Sequence, residues 1–280
     1  MTNLPQKEQI RNAINEYCRT KGISKNELAT QVGVSSATLS NIENRKWDDI
    51  NIRLWRKIWN KVGDVNSISL IRTGDYATCE KVCSSAQKNH FMIALIADTG
   101  MGKTTALNAY SLRKNVFYIV YDKTMAPKHF FTALLREMGI SFEGNINEMV
   151  NRIADELNIV EKPLIIIDEC GKLTHTMILY LHVLRDKAIK NCGFVLAGMP
   201  YFQKNMAKFS NKGKEGFAEF NRRINLWQEL KGLSRSEIAF ICNNYGIDDN
   251  DTIKEMQGKK RFGDLYNEIL LHNLQINETA

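Results

Sequence analysis

A glycine-rich segment near the middle of the chain has residue types that bind phosphate. Its sequence is Asp98-Thr-Gly-Met-Gly-Lys-Thr-Thr. Backbone amides in such a segment, where it leads into a helix, surround phosphate groups. Lys103 would add a charge for the β- and γ-phosphates, and the Thr104 hydroxyl would ligate Mg²⁺. We therefore predict that ATP and Mg²⁺ bind at Asp98, Thr99, Gly100, Met101, Gly102, Lys103, Thr104 and Thr105.

Two adjacent carboxylates form a second candidate part of this site. The segment Pro163-Leu-Ile-Ile-Ile-Asp-Glu-Cys is typical of a buried strand that ends in two acids. Asp168 would hold Mg²⁺ through its water shell, and Glu169 would orient or deprotonate the attacking water. The alternative is a capped loop at the end of a strand. With the glycine-rich segment in the same chain, the pair indicates hydrolysis of a nucleoside triphosphate.

Alternating strands and helices must position these residues. The apolar run Phe91–Ala97 leads directly into the glycine-rich segment and has the length of a buried parallel strand. This alternation predicts an α/β fold in which the nucleotide lies at the carboxyl ends of the strands. The other predicted strands are 116–121, 163–168, 193–198 and a short one over 221–226, and the predicted helices are 75–87, 128–138, 146–157 and 177–190.

The first sixty residues have the pattern of a small helical domain. Ile10, Ile14 and Tyr17 recur at helical spacing, and Ser24 with Glu27 forms a capping box for a second helix. The segment Ile23–Asn44 resembles the phage-repressor (Cro/C1-type) helix-turn-helix family. The resemblance implies DNA binding; the alternative is a helical bundle used for protein contacts. The predicted base contacts are Ser36, Ser40 and Asn41, and the predicted phosphate contacts are Arg45 and Lys46.

Positive charge is concentrated at the N-terminus. The chain has a formal net charge of +7, and residues 1–65 hold eleven Lys and Arg against seven Asp and Glu. This excess permits a polyanionic partner. In the rest of the chain, we favour the loop with Lys123 and Lys128 as a further contact for the DNA backbone. Other candidate cations are Arg185, Lys187 and Lys190 at a helix end, and Lys204, Lys208, Lys212 and Lys214 in a predicted long loop.

Three later segments carry a wider resemblance. They are Leu196-Ala-Gly-Met-Pro-Tyr-Phe, Glu219-Phe-Asn-Arg-Arg-Ile-Asn and Leu230-Lys-Gly-Leu-Ser-Arg-Ser-Glu-Ile. Together with the phosphate-binding elements, residues 70–272 resemble the MuB/TnsC/ExeA group of AAA+ ATPases. The resemblance implies a parallel five-stranded sheet with flanking helices and a small C-terminal helical lid. The expected divisions are a helix-turn-helix domain at 1–64, an ATPase core at 65–228 and a lid at 229–280.

The family also implies an arginine that reaches the nucleotide of a neighbouring subunit. Arg223 fits this catalytic position best and Arg222 is the alternative, although a solvated surface pair has the same pattern. The chain departs from the family pattern at Ala97, where the first glycine is expected, and at Met199 and Tyr266, where a polar sensor residue and an arginine are expected. We therefore expect weak intrinsic ATP hydrolysis, stimulated by DNA or by a partner protein.

A helix-turn-helix placed ahead of the ATPase is the domain order of target-selection ATPases in this group. The resemblance implies a DNA-dependent regulator of transposition that forms helical filaments on double-stranded DNA and delivers that DNA to a transposase. The first alternative is a transcription regulator whose ATPase senses nucleotide. A secretion-associated ATPase is a third possibility, but no membrane segment supports it.

The remaining composition bears on location. No apolar run is long enough to cross a bilayer, and the first residues lack the apolar core of a signal peptide, so we expect a cytoplasmic protein of a bacterial or phage-infected cell. The six cysteines have no zinc-site spacing, and we expect reduced, buried thiols.

Overall fold

The computed structural model describes residues 5–48, 50–63 and 71–279. The expected boundary between residues 64 and 65 lies outside these ranges. Four helices come first: α1 (Lys7–Lys21), α2 (Lys25–Val32), α3 (Ser36–Glu43) and α4 (Ile52–Val62).

These four helices, here called the N-terminal unit, pack around a hydrophobic core of their own. Ile10 and Tyr17 are buried on one face of α1, as their spacing predicts. The Ser24 hydroxyl accepts from the Glu27 amide, and the Glu27 carboxylate accepts from the Ser24 amide, so the predicted capping box is present. Ser35 caps α3. The all-helical character was thus predictable, whereas the assignment as a helix-turn-helix domain stays a prediction.

The rest of the chain is built around a five-stranded sheet in which every pair of strands is parallel, as predicted. The strand order is β2-β3-β4-β1-β5. The carboxyl ends of β1 and β3 meet at one edge, which brings the glycine-rich segment and Asp168 together. The strands are β1 (Met92–Ile96), β2 (Val116–Val120), β3 (Leu164–Asp168), β4 (Gly193–Gly198) and β5 (Leu226–Glu229).

Helices cover both faces of the sheet and bury two hydrophobic clusters. The approach is closest at Gly193, where a Cβ atom would overlap the backbone carbonyl of Ala86. On one face lie α5 (Gly74–Asn89) and α6 (Lys103–Ser111). On the other lie α7 (Pro127–Glu137), α8 (Ile146–Ile159), α9 (His175–Lys187), α10 (Pro200–Asn211) and α11 (Phe217–Arg223).

Three helices after β5 share a small core that includes Ile238, Ile241, Leu265 and Ile269. They lie in the segment expected to be a lid, and we use that name for them as a label. They are α12 (Arg235–Asn244), α13 (Asn250–Met256) and α14 (Phe262–Thr279). None of the helices within the described ranges is long and apolar enough to span a bilayer. All six cysteines are buried free thiols, in agreement with the sequence-based expectation.

Two local predictions are wrong. The segment 221–226 is not a strand, because residues 221–223 end helix α11 and β5 begins only at Leu226. Phe217, Phe220 and Ile224 are buried at helical spacing, and this burial decides the local structure. The predicted long loop is mostly helix α10, which contains Lys204 and Lys208.

Arg185 is also placed differently from the expectation. Its side chain is buried and donates to the backbone carbonyls of Cys192 and His90, at 2.8 and 2.7 Å. A guanidinium used in this way holds α9 against the sheet and is not available to DNA.

The N-terminal unit docks on the β2 edge of the sheet through polar contacts. The buried Lys21 ammonium donates to the carbonyl of Val116, at the start of β2, at 2.6 Å. The Glu137 carboxylate lies 4.0 Å from Lys21 and 2.6 Å from Lys61. Gln31 donates to the Glu137 backbone carbonyl at 2.8 Å. Burial lowers the pKa of Lys21 from 10.5 to about 8, although Glu137 opposes this shift.

Candidate functional site

The glycine-rich segment after β1 surrounds a polar cavity of about 220 Å³. Gly100 and Gly102 have φ angles of +77° and +80°, which favour glycine, so the loop can curl closely around a ligand. Helix α6 begins at Lys103 without a side-chain cap, which leaves its first backbone amides to bind an anion. All eight predicted nucleotide-binding residues line this cavity, from Asp98 to Thr105.

Asp168 is fully buried at the end of β3 and accepts two hydroxyl groups on one oxygen. Thr104 Oγ1 donates to Asp168 Oδ2 at 2.7 Å, and Tyr118 Oη donates to the same atom at 3.2 Å. Because the Thr104 proton is used in this bond, its oxygen lone pairs remain free for a cation. Hydroxyl and carboxylate oxygens are the ligands that Mg²⁺ prefers. The donor set therefore fits a magnesium ion bound with the nucleotide.

Tyr118 was missed by the sequence interpretation. It lies on β2, the strand next to β3, and its ring packs against the apolar core. Burial, together with the neighbouring Asp168 carboxylate, raises the pKa of Tyr118, so the phenol keeps its proton and acts as a donor. No sequence motif marks this tyrosine, since its partner lies fifty residues further along the chain.

Glu169 follows Asp168 and lines the same polar cavity. It adopts φ +61°, and its backbone amide donates to Asp168 Oδ1 at 2.8 Å. Its carboxylate lies 3.2 Å from the Lys172 ammonium, and this contact raises the pKa of Lys172. A residue in this place can orient a water beside the phosphates once its contact with Lys172 is released.

An apolar cavity of about 300 Å³ adjoins the polar one, and Met101, Gly102 and Thr105 line both. Its size and lining suit an aromatic base. The two cavities together offer a polar end for phosphates and an apolar end for a base. The apolar walls are Ile71, Tyr76, Cys79, Tyr245, Phe262 and Tyr266.

The lid contacts the glycine-rich loop directly. The Gly263 amide donates to the Gly100 carbonyl at 2.8 Å. Arg261 Nη2 lies 3.4 Å from Asp98 Oδ2. Tyr266 stacks on Phe262. Tyr266, at the position where relatives are expected to carry an arginine, therefore forms part of the wall of the apolar cavity. From the lid, the cation Arg261 contacts the glycine-rich loop.

The two candidate arginines at the end of α11 differ in their contacts. Arg223 makes a two-pronged ion pair with Asp186, at 2.5 and 2.7 Å, and donates to the Glu219 carbonyl at 2.8 Å. The hydrogen bond from Arg223 lowers the pKa of Asp186. Arg222 is exposed and makes no hydrogen bond or ion pair with any described residue. Of the two, Arg222 is therefore free to reach another molecule.

The middle of the chain is similar to a known family. Residues 86–206 match the family model described as an AAA domain. This match, together with the parallel sheet and the glycine-rich loop after β1, supports an AAA+ ATPase. No curated protein matches the chain.

One solved structure shares the fold at low sequence identity, and two others are similar to a smaller degree. The ORC2 protein of Aeropyrum pernix, in ADPNP–ADP complexes, is 13% identical with a TM-score of 0.53; the alignment covers 73% of this chain and 63% of that one. The ORC1 protein of the same organism, in complex with DNA, is 14% identical with a TM-score of 0.46, over 67% and 55%. A RuvB variant of Thermotoga maritima is 14% identical with a TM-score of 0.44, over 73% and 62%. The chain thus spans 55–63% of the length of these proteins.

Met199, directly after β4, lines the polar cavity. A thioether is a weak hydrogen-bond acceptor and cannot donate to a phosphate or a water. The departure noted in the sequence therefore lies at the nucleotide site itself. Ala97 is buried behind the loop and belongs to the apolar cluster on the α5 and α6 face of the sheet.

The predicted DNA contacts fall into two separate groups. On the N-terminal unit, Ser36 and Ser40 are exposed and Asn41 is half-buried. Lys46 is exposed, whereas Arg45 lies 3.1 Å from the Glu8 carboxylate.

The second group, Lys123 and Lys128, is exposed at the start of α7. Glu137, which contacts the N-terminal unit, ends the same helix. Eleven helical residues span about 16 Å, and most of this length lies between Lys128 and this contact with the N-terminal unit.

Proposed function

We propose that this chain is an ATP-dependent DNA-binding regulator of transposition. In this proposal it assembles on double-stranded DNA with little sequence specificity, delivers that DNA to a transposase, and dissociates when ATP is hydrolysed. The hydrogen bond between Thr104 and Asp168, beneath the glycine-rich loop, carries the nucleotide part of the proposal. The transposition part rests on the resemblance of residues 70–272 to the MuB/TnsC/ExeA group.

The nucleotide site supports ATP as the ligand. Lys103 is buried beside the uncapped start of α6, Thr104 and Asp168 offer oxygen ligands for Mg²⁺, and Glu169 lines the same cavity. The bound metal would neutralise charge on the phosphates. The ADPNP–ADP complexes of the Aeropyrum pernix ORC2 protein are consistent with this use of the fold.

The N-terminal unit supports DNA binding because its docking leaves α3 uncovered. The contacts to the AAA+ core come from Lys21 of α1, Gln31 of α2 and Lys61 of α4. The outer side of α3, with Ser36 and Ser40, remains exposed. A helix presented in this way can enter the major groove.

The departures at Met199 and Tyr266 support a site that is completed by a neighbour. The lid offers no arginine from α14 to the phosphates, and β4 offers no polar side chain. Arg222 is exposed and without a partner in the described chain, so we assign the trans-acting role to Arg222 and not to Arg223. An arginine that arrives only on assembly would make hydrolysis depend on DNA.

An ATPase assay with and without random-sequence duplex DNA tests this proposal. Lys103→Ala should abolish Mg²⁺-ATP binding. Glu169→Gln should bind ATP but hydrolyse it at least about 100-fold more slowly. Arg222→Ala should lose DNA stimulation, by on the order of 10³-fold, at unchanged ATP affinity. Arg223→Ala serves as the matched control: it should lower thermal stability and keep DNA stimulation in the folded fraction.

Electron microscopy with a non-hydrolysable ATP analogue tests the assembly. Filaments on random-sequence duplex should form with wild type and Glu169→Gln and not with Lys103→Ala. If wild type shows only monomers, the transposition proposal is wrong. Equal DNA stimulation in wild type and Arg222→Ala would remove the trans-acting arginine from the proposal.

The exposed polar side of α3 also favours a second candidate, a nucleotide-sensing transcription regulator. Short polar side chains such as Ser36 and Ser40 can contact base edges. Footprinting on genomic fragments separates the two functions. A discrete protected site whose affinity changes with nucleotide supports the regulator, and uniform protection supports assembly along DNA.

A further inference from the structure

The groove between α5, the outer edge of β5 and the start of the lid has a volume of about 1000 Å³. It lies apart from the phosphate-binding cavity, with which it shares no lining residue. Its floor includes the buried side chains Val82, Ile93 and Leu233. The groove therefore has an apolar base and is bounded by both the AAA+ core and the lid.

Four cations line this groove, and none makes an ion pair with a described residue. Lys81 comes from α5, Lys231 and Arg235 from the start of the lid, and Lys260 from the segment before α14. All four side chains are exposed. Elsewhere on the lid, by contrast, Lys254, Lys259 and Arg261 have carboxylate partners.

The acids in the groove do not balance these charges. Asp75 is buried and accepts from the backbone amides of Lys231 and Gly232, both at 2.9 Å. Both oxygens of its carboxylate are thus used in hydrogen bonds to the lid backbone. Glu229 is the other carboxylate among the lining residues. The groove consequently has an excess of positive charge that suits an anionic ligand.

One wall of the groove is the open edge of the sheet. Strand β5 pairs with β1 on one side and ends the strand order on the other. Leu226, Gln228 and Glu229 of this strand line the groove. An exposed edge can pair with an extended chain through backbone hydrogen bonds, and an apolar floor accepts alternate side chains of that chain.

We propose that this groove binds an extended acidic segment of a partner protein, which adds a strand to β5. Its acidic side chains contact Lys81, Lys231, Arg235 and Lys260, and its alternate apolar side chains contact the floor. The open strand edge and the apolar floor favour a peptide over a nucleic acid. The proposal goes beyond the ATPase function and does not depend on it, because no residue of the phosphate-binding cavity lines the groove.

The position of the groove connects the partner with the lid. The Lys260 carbonyl accepts from the Leu233 amide at 2.8 Å, and Arg261, the next residue, reaches Asp98 of the glycine-rich loop. A segment that spans Lys81 of the core and Lys260 of the lid therefore bridges the two parts that must separate if the lid opens. We expect the bound segment to favour the closed lid.

Fluorescence anisotropy with the full chain and a fluorescein-labelled peptide of alternating valine and glutamate tests the proposal. At low ionic strength the peptide should bind, and the matched valine–lysine peptide should not. The double charge reversal Lys81→Glu with Arg235→Glu should weaken binding at least about tenfold. The control Lys88→Glu, two turns further along α5 and outside the groove lining, should bind as wild type does.

Hydrogen exchange gives a second measurement, which does not depend on the variants. The bound peptide should protect backbone amides of Leu226–Glu229 and leave those of the edge strand β2 unchanged.

Lys103→Ala should bind the peptide as wild type does, so a failure of the ATPase proposal is distinguishable from a failure of this one.

Four results would overturn the proposal. The first two are absence of peptide binding and binding that is unaffected by the double charge reversal. The third is absence of protection at β5. The fourth is displacement of the peptide by a single-stranded oligonucleotide whose binding depends on Lys81 and Arg235 in the same way. The last result would assign the groove to nucleic acid. If sedimentation shows instead that the double reversal blocks self-association, and no peptide binds, the groove is a contact between copies of this chain.

Discussion

The cationic side chains at the two edges of the central sheet differ in whether they have carboxylate partners. At the β2 edge, Lys21 and Lys61 converge on Glu137, and the Lys21 ammonium also donates to a strand carbonyl. These cations have partners within the chain. At the β5 edge, by contrast, four cations line a groove and none has a carboxylate partner among the described residues.

This difference separates charges that stabilise the fold from charges left for another molecule. Lys21 is buried, and its contacts are part of the surface through which the N-terminal unit docks. The groove cations are exposed and make no ion pair with a described residue, so we expect the fold not to depend on them. If this interpretation is correct, charge changes at the β2 edge should alter stability, and changes at the β5 edge should alter only binding.

Glu137→Gln tests the β2 edge and has the largest expected effect. The change removes the carboxylate between two lysines and leaves the buried Lys21 without a counter-charge. Loss of one member of a buried ion pair costs about 3 kcal/mol or more. We expect the free energy of unfolding to fall by about this amount in urea denaturation.

The matched control for this prediction is Glu143→Gln. Glu143 is exposed and has no ion pair with a described residue, so its change should leave the urea midpoint unaltered. Equal urea midpoints for Glu137→Gln and wild type would show that the N-terminal unit does not depend on this contact.

The pH dependence of stability tests the same edge through Lys21. Its pKa falls from 10.5 to about 8 when the N-terminal unit docks. Between these values the unfolded chain binds more protons, so the free energy of unfolding should rise with pH, by roughly 3 kcal/mol from this residue. Below pH 8 both states hold the proton, and the cost of burying the charge is present in full.

Lys21→Met isolates this contribution, because it removes the titrating group and keeps the length of the side chain. The difference in unfolding free energy between wild type and Lys21→Met, measured by denaturation at several pH values, should grow in favour of wild type above pH 8. A difference that stays constant up to pH 10.5 would contradict the lowered pKa.

Local sequence patterns predicted most of the fold and the loop that lines the polar cavity. The apolar run before Asp98 and the one that ends at Asp168 gave the strands that meet at the candidate site. The two strands were predictable because each is a continuous apolar run in the sequence. The prediction of a strand over 221–226 was wrong because Phe217 and Phe220, which lie outside that segment, are buried and stabilise a helix that continues into it.

Contacts between distant segments could not be predicted in this way. The pair of Arg223 and Asp186 joins two helices through residues with no shared motif, and it decides which arginine remains free. The same holds for Tyr118 and Asp168, and for Lys21 and Val116. Each depends on tertiary packing that places one element beside another, and a single sequence carries no pattern for it.

Substitutions of the cations at the β5 edge should have the smallest effect on the free energy of unfolding. Lys81→Ala and Arg235→Ala remove exposed charges that have no partner in the described chain. Each should change the free energy of unfolding by less than about 0.5 kcal/mol, since surface substitutions away from packed or paired groups have effects of this size. Denaturation in urea measures this, beside Glu137→Gln on the opposite edge. A loss above 1 kcal/mol in either alanine variant would mean that the fold does use these cations, and the contrast between the two edges would then be wrong.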